Sequence, residues 1–84
     1  MEARILTFDG LSEMVGKTVF EEWICGTGAF PCKVLETIDR DHIRLERDVF
    51  GKPERYIAKR KNREYRFWDA EPLDEQREFT PWKV

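Results

Sequence analysis

Asp41-His42-Ile43-Arg44-Leu45-Glu46-Arg47-Asp48-Val49-Phe50 is the stretch on which the fold turns. Ile43, Leu45 and Val49 share one parity, while His42, Arg44, Glu46 and Asp48 occupy the other. Period two is the signature of a strand with one face buried and the other in water. Arg47 interrupts the apolar row, so the inner face is expected to open at that end. Gly51-Lys52-Pro53 then supplies a turn, since glycine accepts positive φ and proline cannot donate to a ladder.

Further segments of similar length lie on either side. Ala3–Phe8 is expected as a first strand closed by Asp9-Gly10, and residues 11–16 as a short helical turn ended by Gly16. Lys17–Cys25 is expected as a strand with a bulge near Glu21-Glu22, because apolar residues fall on both parities there. Cys32–Ile38 follows, and Arg55–Arg60 with Arg63–Trp68 reads as a hairpin joined at Lys61-Asn62. The expected fold is mainly β: a small antiparallel barrel or rolled sheet of five to six short strands. The chain is read as one β domain over residues 1–68 followed by an acidic tail, 69–84. That tail is either docked through Leu73, Phe79 and Trp82 or left mobile.

Residues 11–19 (Leu-Ser-Glu-Met-Val-Gly-Lys-Thr-Val), 33–39 (Lys-Val-Leu-Glu-Thr-Ile-Asp) and 41–45 (Asp-His-Ile-Arg-Leu) resemble the strand grammar of small SH3-like barrels, among them PRC-barrel and Sm-type domains. The likeness covers roughly residues 11 to 60 and implies a closed barrel. The motifs by which signalling SH3 domains hold proline-rich peptides are not recognisable, and no functional residue carries over.

At 84 residues with 40% hydrophobic and 13% aromatic content, the chain can build one packed core and is not of disordered composition. The net charge of −2 is unevenly spread. Residues 1–39 carry three basic and seven acidic groups, residues 40–66 ten and five, residues 67–84 two and five. The basic middle is the main candidate for function. Lys52, Arg55, Lys59, Arg60, Lys61, Arg63 and Arg66 fall within residues 52–66, interleaved with Tyr56 and Tyr65 and followed by Trp68. Cations neutralise phosphates and exposed rings stack on bases, so Arg55, Lys59, Arg60, Lys61, Arg63 and Arg66 are candidate anion or nucleic-acid contacts, with Tyr56 and Trp68 as aromatic contacts. The plainer reading is a solvated hairpin whose charges keep an edge from aggregating.

Other constellations are weaker. Gly16-Lys17-Thr18 lacks the upstream glycine of a phosphate loop and precedes a strand. Cys25, Cys32 and His42 fall short of a zinc ligand set, and nothing orients His42 as a base for a thiol. Glu21-Glu22 and Asp39/Asp41 are paired carboxylates of the kind acid–base catalysis uses, though such pairs at strand ends are mostly solvated turns. No apolar run is long enough to span a bilayer and no leader pattern precedes the first strand, so a cytoplasmic protein with two reduced thiols is expected. The function expected is a non-catalytic binding module, without cofactor or metal, acting by protein–protein interaction or as a homodimer. The alternative is a nucleic-acid-binding module using the basic hairpin 52–66.

Overall fold

The computed structural model describes residues 2–82. Five antiparallel strands, β1 (Thr18–Trp23), β2 (Ala29–Asp39), β3 (His42–Val49), β4 (Lys52–Lys59) and β5 (Tyr65–Trp68), form one sheet in the order β4-β3-β2-β1-β5. Two short helices accompany it, α1 (Phe8–Ser12) before β1 and α2 (Asp74–Phe79) after β5. The mainly β, rolled-sheet expectation is met.

The closed SH3-like, PRC-barrel or Sm-type barrel is not. β4 and β5 are the two ends of the sheet and share no backbone ladder. Among the described residues the Tyr65 hydroxyl reaches across, accepting a hydrogen bond from the Lys59 amide at 2.8 Å. The expected 55–60/63–68 hairpin is likewise absent, because β5 pairs with β1 instead (Phe20 opposite Trp68, Trp23 opposite Tyr65). Asn62 does reverse the chain, but a reversal signal does not say which strand the next segment will pair with.

Alternation builds the inner face. Val19, Cys32, Val34, Ile43, Leu45, Ala58, Tyr65 and Phe67 bury there, and Leu11 of α1 covers them. The helix starts where the Thr7 hydroxyl accepts a hydrogen bond from the Gly10 amide, three residues earlier than the expected helical turn. Residues 3–8 supply a single bridge at Ile5 rather than a strand. No bulge lies at Glu21-Glu22; the register shifts fall in β2, between Val34 and Glu36 and between Thr37 and Asp39. Those shifts explain why Ile38, of the same parity as Val34, does not follow it into the core. The turn after β3 is Phe50-Gly51, and Lys52 and Pro53 already belong to β4.

Of the three anchors expected for a docked tail, Trp82 makes contact with the sheet and the other two do not. Leu73 and Phe79 are largely exposed, whereas Trp82 lies on the Arg66 guanidinium and Gln76 Nε2 donates to the Ala3 carbonyl. Lys83 and Val84 lie outside the described residues.

Candidate functional site

β1 places two consecutive glutamates on opposite faces of the sheet, and both are buried. Glu21 points inward with Val19 and Trp23. It accepts hydrogen bonds from Trp23 Nε1, Tyr56 Oη and Arg47 Nη1, the last at 2.9 Å. Arg47 also donates to Glu54 at 2.8 Å and lies over the Tyr56 ring at 4.5 Å. Its Nε is buried without a partner among the described residues. Burial raises the Glu21 carboxyl above its ordinary value, against the opposing pull of Trp23 and Arg47. The inner face, expected to open where Arg47 breaks the apolar row, is instead closed there by an ion-pair network.

Glu22 faces outward. Its Oε1 accepts from Arg66 Nε at 2.7 Å and Trp68 Nε1 at 2.9 Å. Arg66 Nη1 donates to the Thr80 carbonyl and Nη2 to the Arg77 carbonyl, and its guanidinium sits between the Trp68 and Trp82 rings. Arg66 and Trp68, read from sequence as ligand contacts, are 8% and 2% exposed and hold the tail onto the sheet. The Glu21-Glu22 pair thus offers no two carboxylates to one substrate.

The remaining candidates divide. Arg60 is tied to Asp9 at 2.7 Å, to Asp41 at 3.1 Å and to the Arg40 carbonyl, and it covers Phe8. That contact lowers the Asp9 carboxyl below its ordinary value. Tyr56 is half-buried beneath Arg47. Arg55 is largely exposed and meets Glu46 at 3.2 Å. Lys59, Lys61 and Arg63 are exposed and make no ion pair among the described residues. Of the six candidate cations, Lys59, Lys61 and Arg63 thus stay exposed around the β4–β5 connection, while Arg55, Arg60 and Arg66 are held in ion pairs.

Cys25 is exposed, Cys32 is buried, and both are free. Asp39 Oδ1 accepts from the Asp41 amide and contacts His42 Nδ1 at 2.8 Å, a closed turn rather than an open acid pair. Among the described residues no group of three or more His, Cys, Asp or Glu is placed to hold a metal ion, and no helix is long and apolar enough to cross a membrane. A shallow groove of about 400 Å³ runs over the outer face past Thr18, Pro31, Lys33, Glu46 and Pro53. Its lining is of mixed charge.

The sequence reading allowed for an exposed edge on the basic hairpin without placing it; the edge is the outer side of β4. Arg60 N donates to Asp41 O of the β3 side, while Lys59 N points away from β3 to Tyr65. Antiparallel strands alternate these directions, and the β3–β4 register is unbroken from Val49↔Lys52 to His42↔Lys59. The N–H and C=O groups of Arg55 and Ile57, in phase with Lys59, therefore face outward, and they have no partner among the described residues. Pro53 has the same phase, which is where an edge strand tolerates proline. The opposite edge is closed: Leu6 N donates to Phe67 O and Asp69 N to Arg4 O. Pro53 in an otherwise strand-like run was the available signal of an edge.

The chain matches no family model, and no curated protein or solved structure matches it.

Proposed function

We propose that the chain is a non-catalytic protein-interaction module that adds an extended segment of a partner to the free edge of β4. The unpaired outward backbone of Arg55 and Ile57 carries this reading. Such groups bind an incoming strand with the same hydrogen bonds that hold the sheet together. The hairpin that presents the edge ends in Phe50, 99% exposed, and aromatic side chains dominate binding hot spots. A second copy is the poorer occupant of this edge. Pairing β4 with itself sets Lys52, Arg55 and Lys59 of one chain near those of the other against a lone Glu54.

Ile57→Pro tests the reading, because it removes an outward N–H while leaving the bonds to β3 in place. Proteins captured from a lysate of the native host by the wild-type chain are expected to be lost with the folded variant. On partner binding the Arg55 and Ile57 amides should become protected from hydrogen exchange. Equal capture by wild type and variant, with those amides unprotected, rejects it.

A second reading rests on Lys59, Lys61 and Arg63, which share the β4–β5 connection with Arg40 of the facing turn. Three cations without an ion pair among the described residues, beside Arg40, which meets Asp41 at 3.8 Å, suit a phosphate backbone. That binding is expected to weaken steeply with salt and to vanish when Lys59, Lys61 and Arg63 become Ala. No detectable oligonucleotide binding at low salt removes it.

A further inference from the structure

We infer that the segment docking on β4 is acidic on one face, with carboxylates four residues apart flanking a β-branched or other apolar residue. This rests on the β4-edge reading and deepens it to the chemistry of the partner. The residues with outward backbone groups share the outer face of the sheet, because side chains alternate with period two. They are Pro53, Arg55, Ile57 and Lys59. A strand added to this edge sets one residue directly opposite Arg55 and one opposite Ile57, on the same face. At Lys59, whose amide is already held by the Tyr65 hydroxyl, the next outer residue meets the long side chain rather than the backbone.

The charges along that row are one-sided. Arg55 is two-thirds exposed, and Lys59 is exposed with no ion pair among the described residues. Between them Ile57 is 41% exposed, an apolar surface that an opposing side chain would cover. On the inner face the corresponding row is Glu54, Tyr56 and Ala58. Glu54 is engaged by Arg47, Tyr56 is half-buried and Ala58 is buried. Acids on the inner side of the incoming strand would meet Glu54, so the acidic residues belong on the outer side alone. The chain's own acidic segment is not the occupant, since Arg66 holds it against the far end of the sheet, on β5.

Three synthetic heptapeptides test this. Each has valine at its centre and threonine elsewhere, and they differ only in carrying glutamate, glutamine or lysine two residues to either side of the valine. Titrated into the isotope-labelled full chain, the glutamate peptide is expected to bind best and the lysine peptide worst, by about tenfold between them. The Arg55 and Ile57 amides should shift most. Arg55→Glu/Lys59→Glu should reverse the order, and Lys59→Glu alone, which leaves the Arg55–Glu46 contact intact, should narrow it. Equal binding of all three at the β4 amides overturns the acidic inference while leaving the edge reading standing. Shifts confined to other residues, or binding unchanged by Ile57→Pro, overturn both. Absence of binding by all three at millimolar concentration overturns the inference as well.

Discussion

Arg66 and Glu22 form an ion pair, Nε to Oε1 2.7 Å, in which both side chains are almost wholly buried. Every nitrogen of the guanidinium is used: Nε on Glu22, Nη1 on Thr80 O, Nη2 on Arg77 O. The pair therefore joins β1 and β5 to α2 and the residue that follows it.

Removing one partner of such a pair costs about 3–5 kcal/mol where the other charge is left wholly uncompensated. Arg77 Nη1, 3.7 Å from Glu22 Oε2, keeps part of that compensation, so Arg66→Ala is expected to lose stability toward the lower end of that range in urea unfolding. It should also speed proteolysis in the tail, where the Thr80 and Arg77 carbonyls lose their donor. Arg66→Met with Glu22→Gln removes both charges and should cost much less. Equal losses from the two variants would show that the side-chain packing, not the charge, is what matters.

Glu21 sets a pH dependence of known sign. Burial raises its carboxyl above the ordinary glutamate value, so the native state holds the proton more tightly than the unfolded chain. Its contribution is then fully present at low pH and is lost as pH rises from the ordinary value through the raised one. Asp9 and Asp39 act oppositely, lowered by hydrogen bonds from Arg60 and His42, and their contribution is lost as pH falls through the lowered values. Comparison with Glu21→Gln cancels the aspartates. Wild type is expected to gain stability relative to that variant as pH drops from neutral toward the ordinary glutamate range. A flat or opposite difference in chemical denaturation contradicts the burial of an ionised Glu21.

These networks were hidden in the sequence for a physical reason. Ile43 and Leu45 were legible because β3 has one dry face and one wet face. β1 was not, since both of its faces are covered and the alternation blurs around Glu21-Glu22. β5 is buried along its whole length, so Arg66 looked like one more surface cation. Its partner Glu22 stands 44 residues away, and no local pattern records that distance. Arg60 misled in the same way, its partner Asp9 lying in α1.

The two thiols should behave as different chemical species. Cys25 is exposed, whereas burial, and then the nearby Glu21 charge, push the Cys32 thiol up to about 12. The thiolate is the reactive form, so Cys32 is doubly protected. An aromatic disulfide reagent at neutral pH is expected to modify one thiol in the native protein and two in denaturant. Rapid native modification of both would place Cys32 outside the core.

Phe50 occupies φ 51 beside Gly51 at φ 81, the pair of positive values a two-residue type I′ hairpin requires. Glycine meets that demand freely, while a bulky residue there carries strain. The ring gains nothing in return from the chain itself, being 99% exposed. Phe50→Asn, which supplies a residue tolerant of the left-handed region, is therefore expected to raise stability by about 0.5–1 kcal/mol and to raise the melting temperature. Phe50→Gly should gain less, because it also loosens the unfolded chain. Phe50→Val, β-branched, should lose stability. If the protruding ring helps hold a partner beside β4, Phe50→Asn will bind that partner more weakly while melting higher. A variant that melts lower than wild type would mean the ring is packed against the chain, and that Phe50 is structural rather than a contact held out for another protein.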